Sequence, residues 1–352
     1  MRKPLAVLAG LSLLACVLAA CGSDPEPGRI VTAPSDGAAA VPSDVAATAS
    51  GAPSGIASPK PSANSARCNS FPANNAWRAD VSKLAVHKSS AAYVGSIGTG
   101  APVHADFGSG TWDGGPIGIP VTTVKPGTAG VKVTFSYAGE SDKVAYPIPS
   151  GVKIEGGPNA GGDRHVILHD PVGCKVYELF AAVKSGSTWK AGSGAVFDLR
   201  SNKLRPAGWT SADAAGLPIF AGLVRYEEIA AGHIDHAIRV TVPRSQATYV
   251  WPARHQASDS SSTSLPPMGL RLRLKASVNV ARLPKQARIV AVAMQKYGVI
   301  VADNGSPWYI SGTPDERWSN DALHALGQLH GSDFEAVDAG VLMADRDSAA
   351  VK

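Results

Sequence analysis

The sequence predicts a mainly β protein: an antiparallel β-sandwich of jelly-roll type with a small C-terminal α-helical element. Three observations predict it. Short apolar runs separated by turn residues recur along the chain, as sandwich strands do. Helical periodicity is confined to the stretch beyond residue 284. No second Pro/Ser-rich linker interrupts residues 67–345, which favours one large domain.

The predicted strands are 131–137, 143–148, 165–169, 175–183, 195–199, 233–242, 248–251 and 269–278. In the last, Leu270, Leu272, Leu274 and Ala276 share one face. Arg271, Arg273 and Lys275 take the other, expected to be solvated or else to bind an anionic polymer. In 233–242, His236 falls on the face of Ile234, Ile238, Val240 and Val242. Pro284 suits the first position of a helix whose apolar stripe is Ile289, Val290, Ala293, Met294 and Tyr297. Gly298 suits its C′ position. A buried strand at 299–302, a turn at 303–305 and a short helix over about 320–329 follow.

Ahead of the domain, Arg2 and Lys3 precede an apolar run from Leu5 to Leu18 that is too short to span a bilayer. It ends in Leu-Ala-Ala-Cys21, which resembles the lipobox of bacterial lipoproteins. That resemblance implies a signal peptide over 1–20, lipid on Cys21 and an extracytoplasmic protein anchored in a bilayer. Residues 21–66 are rich in Ala, Ser, Pro and Gly and lack aromatics, so they are expected to be a disordered stalk. Residues 346–352 are read as a tail. Of the four cysteines, Cys68 and Cys174 remain for the domain and are expected to pair in an oxidising compartment; two buried thiols are the alternative. The formal net charge of +5 falls to +3 without Arg2 and Lys3, no footprint for nucleic acid.

The long loop 205–228, RPAGWTSADAAGLPIFAGLVRYEE, has neither strand nor helix period and is expected to form one wall of a site. Asp163, His165, Asp213 and Asp303 are the candidate acids and bases, since glycoside hydrolysis needs paired carboxylates and His serves proton transfer. Arg164, Arg254, His255, Asn304 and Ser211 are candidates for orienting hydroxyls or a carboxylate, Trp209 for stacking on a sugar ring, and His236 for a place in a cleft. Each has a plainer reading: loop knitting for Asp163 and Arg164, core hydrogen bonding for His236, turn chemistry for Asp303. His165 and His169 stand roughly 13 Å apart on a strand, too far to share a metal. No Gly-x-Ser-x-Gly, phosphate-loop or His-Glu-x-x-His motif is present, and the sequence predicts no metal and no cofactor.

The strings IEGGPNAGGDRH (154–165), GWTSADAAGLPI (208–219), WPARH (251–255), PPMGLRLRLKAS (266–277) and YGVIVADNGSPWYISG (297–312) resemble a family of bacterial secreted proteins and lipoproteins. The resemblance implies export and a single domain over most of the mature chain, and it carries over no catalytic residue. The function expected is a carbohydrate-active enzyme, a glycoside hydrolase or a polysaccharide lyase. The alternative is a non-catalytic lipoprotein that binds a glycan or an envelope partner.

Overall fold

The computed structural model describes residues 68–352; the signal segment, Cys21 and the whole stalk lie outside the described residues. The described chain is mainly β, built as several sheets with no closed barrel.

Two four-stranded sheets carry the first half. One runs Ala145–Tyr146, Val131–Phe135, Thr188–Ala191, Val183–Ser185, and the other Ser193–Asp198, Lys175–Phe180, Val166–Asp170, Val121–Thr123. Strand alternation explains how they stack. Val166, Leu168 and Leu179 of the second sheet join Val133, Phe135, Tyr146 and Trp189 of the first in one apolar cluster. Ile167, Val176, Ala195 and Phe197 point the other way, into the main core. The second sheet is therefore a middle layer, buried on both faces.

The main core contains a six-stranded sheet in the order His104–Asp106, Tyr309–Ser311, Ile238–Val242, Val299–Asn304, Arg271–Leu274, Phe334–Val337. It is mixed: the first pair and the Ile238–Val242/Val299–Asn304 pair are parallel, and the rest antiparallel. Parallel pairs also occur in both smaller sheets, so the all-antiparallel expectation is corrected. Helix Lys285–Lys296 forms as its stripe predicts, burying Ile289, Val290, Ala293 and Met294, and Gly298 follows its C-cap at φ +71°. The expected second helix is Asn320–His324, continued by a 3₁₀ turn over Ala325–Gln328, with Leu323 and Leu326 buried. Helix Ser90–Ile97 has only a weak stripe and was not expected.

Three expectations change. Arg271 and Arg273 are not solvated: they are 1% and 9% exposed. Arg271 donates to the carbonyls of Ala76 and Tyr297, and Arg273 to those of Val81 and Leu84 and to Glu335. Central strands are covered on both sides, and these guanidiniums staple residues 76–84 across the sheet. Residues 248–251 form no strand, only an isolated bridge from Tyr249 to Met268 ahead of the cis Trp251–Pro252 bond. Residues 346–352 are bound along the domain, with bridges Lys203–Ser348, Asn75–Ala350 and Met343–Val351.

Cys68 and Cys174 pair, with Cα atoms 5.1 Å apart across 106 residues. The bond ties the start of the described chain to the turn between two middle-layer strands. Closing a loop of this length is worth about 4.7 kcal/mol in the chain-entropy account, and native disulfides typically contribute about 2–5 kcal/mol. Replacing both cysteines by alanine should lower unfolding free energy within that range in urea titrations. An unchanged midpoint would show that the bond constrains nothing.

Candidate functional site

The site begins with Arg239, on the inner strand Ile238–Val242. Its fully buried guanidinium donates from Nε and Nη2 to the two Asp213 oxygens (3.1 and 2.9 Å), from Nη2 also to Asp303 (3.0 Å), and from Nη1 to Ser311 Oγ (2.9 Å). Asp303 reaches it through a bulge. The register runs Arg239↔Ile300, Val240↔Val301, then Thr241↔Asp303. By strict alternation Asp303 would face away from Arg239; the extra residue, Ala302, turns it onto Arg239's face. The Ala302 carbonyl then accepts from the Ala215 amide (3.0 Å), fixing the loop to the bulge.

Loop 205–228 divides its labour. Leu217, Ile219, Phe220 and Leu223 pack into the core, with Ile219–Gly222 as a short helix. Gly222 lies where a Cβ would meet Arg239 Cβ at 2.8 Å, so helix and strand approach closely there. The Glu178 carboxylate accepts from the Ile219 and Phe220 amides at 3.0 and 2.9 Å. The polar half, 210–214, faces a cavity.

That cavity has a volume of 470 Å³ and is open to solvent. Segments far apart in sequence wall it: Tyr137 and Glu140, Asp163, Phe180, Ser193, residues 210–214, His255 to Ala257, and Asp303 with Asn304. Of the sequence candidates, Asp163, Ser211, Asp213, His255, Asp303 and Asn304 come together here. Asp163 is exposed on the wall. Asp213 is completely buried on Arg239 and cannot meet a ligand directly. Asp303 keeps partial access, its side chain 23% exposed. Burial raises its carboxyl and Arg239 only partly offsets that, with Asp213 adding to the rise, so it sits at about 6. His255 Nδ1 donates to the Ala214 carbonyl (2.9 Å), which leaves Nε2 facing Glu140 Oε2 at 3.8 Å.

The remaining candidates lie elsewhere. His165 is sealed behind the wall, with one ring nitrogen on Glu155 (2.6 Å) and the other on the Ala212 carbonyl (3.0 Å). Burial alone would push it down, but the Glu155 charge and hydrogen bond outweigh burial and lift it to about 9. Both nitrogens therefore donate, and His165 is a charged strut. Arg164, at φ +47°, donates to the Pro158, Ala160 and Ala182 carbonyls and knits the glycine loop, the plainer of its two readings. Trp209 lies half-buried over Arg205, 5.5 Å from ring centre to guanidinium carbon, outside the cavity. Arg254 is turned to the C-terminal segment, holding Asp347 and the Arg346 carbonyl. His236 is buried against Glu228 and the Ala237 carbonyl, as a core histidine.

Sequence reasoning missed Arg239, Glu178, Tyr137, Phe180 and Ser193. Glu178 left a signal: it alternates with Val176 on a core-facing strand. Burial raises its carboxyl to about 7, the two backbone amides offsetting part of the cost. Among the described residues no group of three His, Cys, Asp or Glu is arranged to hold a metal ion. No protein-family model, curated protein or solved structure matches the chain. Roles must therefore rest on the geometry.

Breaking a buried ion pair by removing one partner costs about 3–5 kcal/mol, whereas replacing both by apolar residues can be nearly neutral. Arg239→Met should destabilise the protein by that amount, and Arg239→Met with Asp213→Leu should recover most of it. Asp303 can take up a proton and does not need the guanidinium. Chemical denaturation of both variants checks this; additive losses would mean that the pair is not coupled.

Proposed function

We propose that the chain is an exported lipoprotein, anchored in a bacterial membrane through acylated Cys21, whose cavity acts on an extracellular or envelope polysaccharide. The lipobox-like LAAC and the resemblance to secreted proteins support export, and the Cys68–Cys174 bond fits an oxidising compartment. We read the two stacked four-stranded sheets as a sandwich that holds one wall of the site.

The observation that carries the enzymatic reading is convergence: Asp163, Asp303 and Glu140 reach one open cavity from distant segments, with aromatic Tyr137 and Phe180 beside them. In this reading Asp303 is the general acid, since a carboxyl at about 6 keeps a usable protonated fraction near neutrality. Asp163 or the free Nε2 of His255 activates water as the base, and Asn304 orients hydroxyls. Arg239 and Asp213 act as positioning residues, holding Asp303 at the wall. The second reading is a non-catalytic glycan-binding lipoprotein. The sealing of Asp213 and His165 away from solvent favours it, because it removes two of the four expected acid/base groups from reach.

Incubating the full-length protein with bacterial and plant polysaccharides should release new reducing ends. Asp303→Asn should lower the rate by about 10²–10⁴-fold, the usual worth of a positioned acid. In the wild type, release should fall as pH rises through about 6, because the protonated form is the active one. Unchanged turnover in a folded Asp303→Asn variant removes Asp303 from the mechanism. Binding with no release from any substrate favours the second reading.

A further inference from the structure

Three hydroxyl donors of the cavity wall are turned inward. Ser193 Oγ donates to the Ser211 carbonyl (2.6 Å), Ser211 Oγ to that of Leu217 (2.6 Å), and Thr210 Oγ1 to that of Asp213 (3.2 Å). A carbonyl can only accept, so the His255 Nδ1–H is turned to Ala214, away from the cavity, and Nε2 faces Glu140 Oε2 at 3.8 Å. By the same logic Asn304 gives its Nδ2 to the Ala257 carbonyl (3.0 Å), and its Oδ1, shut off from solvent, has no partner. The carboxylates of Glu140, Asp163 and Asp303 line the cavity, with the Gln256 amide and the Tyr137 hydroxyl beside them.

Among the described residues no lysine or arginine lines the cavity; Arg239 lies behind the wall, engaged by Asp213, Asp303 and Ser311. The two arginines that could have neutralised a uronate, Arg164 and Arg254, are held by other partners. An acceptor-rich, net negative cavity disfavours anionic sugars and needs donors. An ammonium offers three donors, no acceptor and a positive charge. Tyr137 and Phe180, which line the cavity, add aromatic surface of the kind that attracts a cation.

Resting on the reading of this cavity as a glycan site, we propose that its ligand is a polysaccharide of amino sugars bearing free amino groups, such as a de-N-acetylated glucosamine polymer. Glu140 and Asp163 receive the ammonium and hydroxyl donors. A neutral glycan of the same backbone lacks the charge, an N-acetylated one replaces it with a bulky amide, and a uronate reverses it. Specificity of this kind is a difference of affinities built from attraction to one ligand and repulsion of another.

The test is calorimetric titration of the full-length protein with four tetramers: glucosamine, N-acetylglucosamine, glucose in β-1,4 linkage, and galacturonic acid. The glucosamine tetramer should bind about tenfold tighter than the neutral one, the worth of one or two partly exposed charge contacts. Raising salt to about 0.5 M should shrink that ratio, because screening acts on the charge alone. Glu140→Gln with Asp163→Asn should bring the ratio near one; if that double variant misfolds by circular dichroism, the salt series on the wild type decides. Equal or tighter binding of the neutral, N-acetylated or anionic tetramer overturns the proposal, as does no binding of any. Preference for the glucosamine tetramer without bond cleavage supports it while removing the enzymatic reading. Cleavage of a neutral glycan without that preference does the reverse.

Discussion

The buried guanidinium of Arg239 is the constraint on which the site depends. A cation taken out of water carries a penalty of several kcal/mol that only close, well-directed acceptors offset. Here they come from three elements: Asp213 on the long loop, Asp303 on a parallel neighbouring strand, and Ser311 on an antiparallel one. Each must stay in place for the charge to be tolerated. The loop is thereby drawn over the sheet, and the bulge at Ala302 is selected because only it turns Asp303 toward Arg239. The carbonyl of that bulge in turn holds Ala215, so the polar half of the loop is tied to the sheet at two neighbouring points.

Behind the wall the acids outnumber the cations. Glu155, Glu178, Asp213 and Asp303 share the interior with Arg239 and His165. The consequence is a division of protonation states. Glu155 is held low by the His165 charge and hydrogen bond, which outweigh its burial, and His165 is correspondingly high. Glu178 and Asp303 take the burden of burial instead, at about 7 and about 6. Only Asp303 of these two lines the cavity, so the group with an adjustable proton is also one a ligand can meet. The middle sheet makes this possible by sending His165 and Glu178 toward the main core and Val166 and Leu179 toward the smaller sheet.

Much of this was legible in the sequence, and what was not has identifiable causes. The late helix, its glycine stop and the strand after it follow from local periodicity, which the structure keeps. The disulfide followed from counting cysteines, and the 205–228 stretch announced itself by having no period while rich in apolar residues. Sheet order and strand direction are non-local, so parallel pairs inside strands that read as sandwich strands could not be seen. Arg271 and Arg273 were misjudged because alternation reports two faces without saying whether the second is covered. Arg239 left no mark for the same reason. Asp303 read as a candidate acid with turn chemistry as its plainer role, and its partner Arg239 was hidden, since the bulge that brings them together is a property of two strands together. Trp209 carried the stacking expectation on residue type alone, while Tyr137 and Phe180, unremarkable in sequence, are the aromatics that reach the cavity.

The central claim is that burial keeps Asp303, which Arg239 holds in place at a ligand-accessible wall, a proton-bearing carboxyl. Following the ¹³C resonance of the Asp303 carboxyl against pH, assigned through Asp303→Asn, tests it most directly. The account predicts a midpoint near 6, well above the usual aspartate value of 3.8, that falls when the glucosamine tetramer is added because a nearby cation favours the charged form. A midpoint in the ordinary aspartate range, indifferent to that ligand, would contradict it.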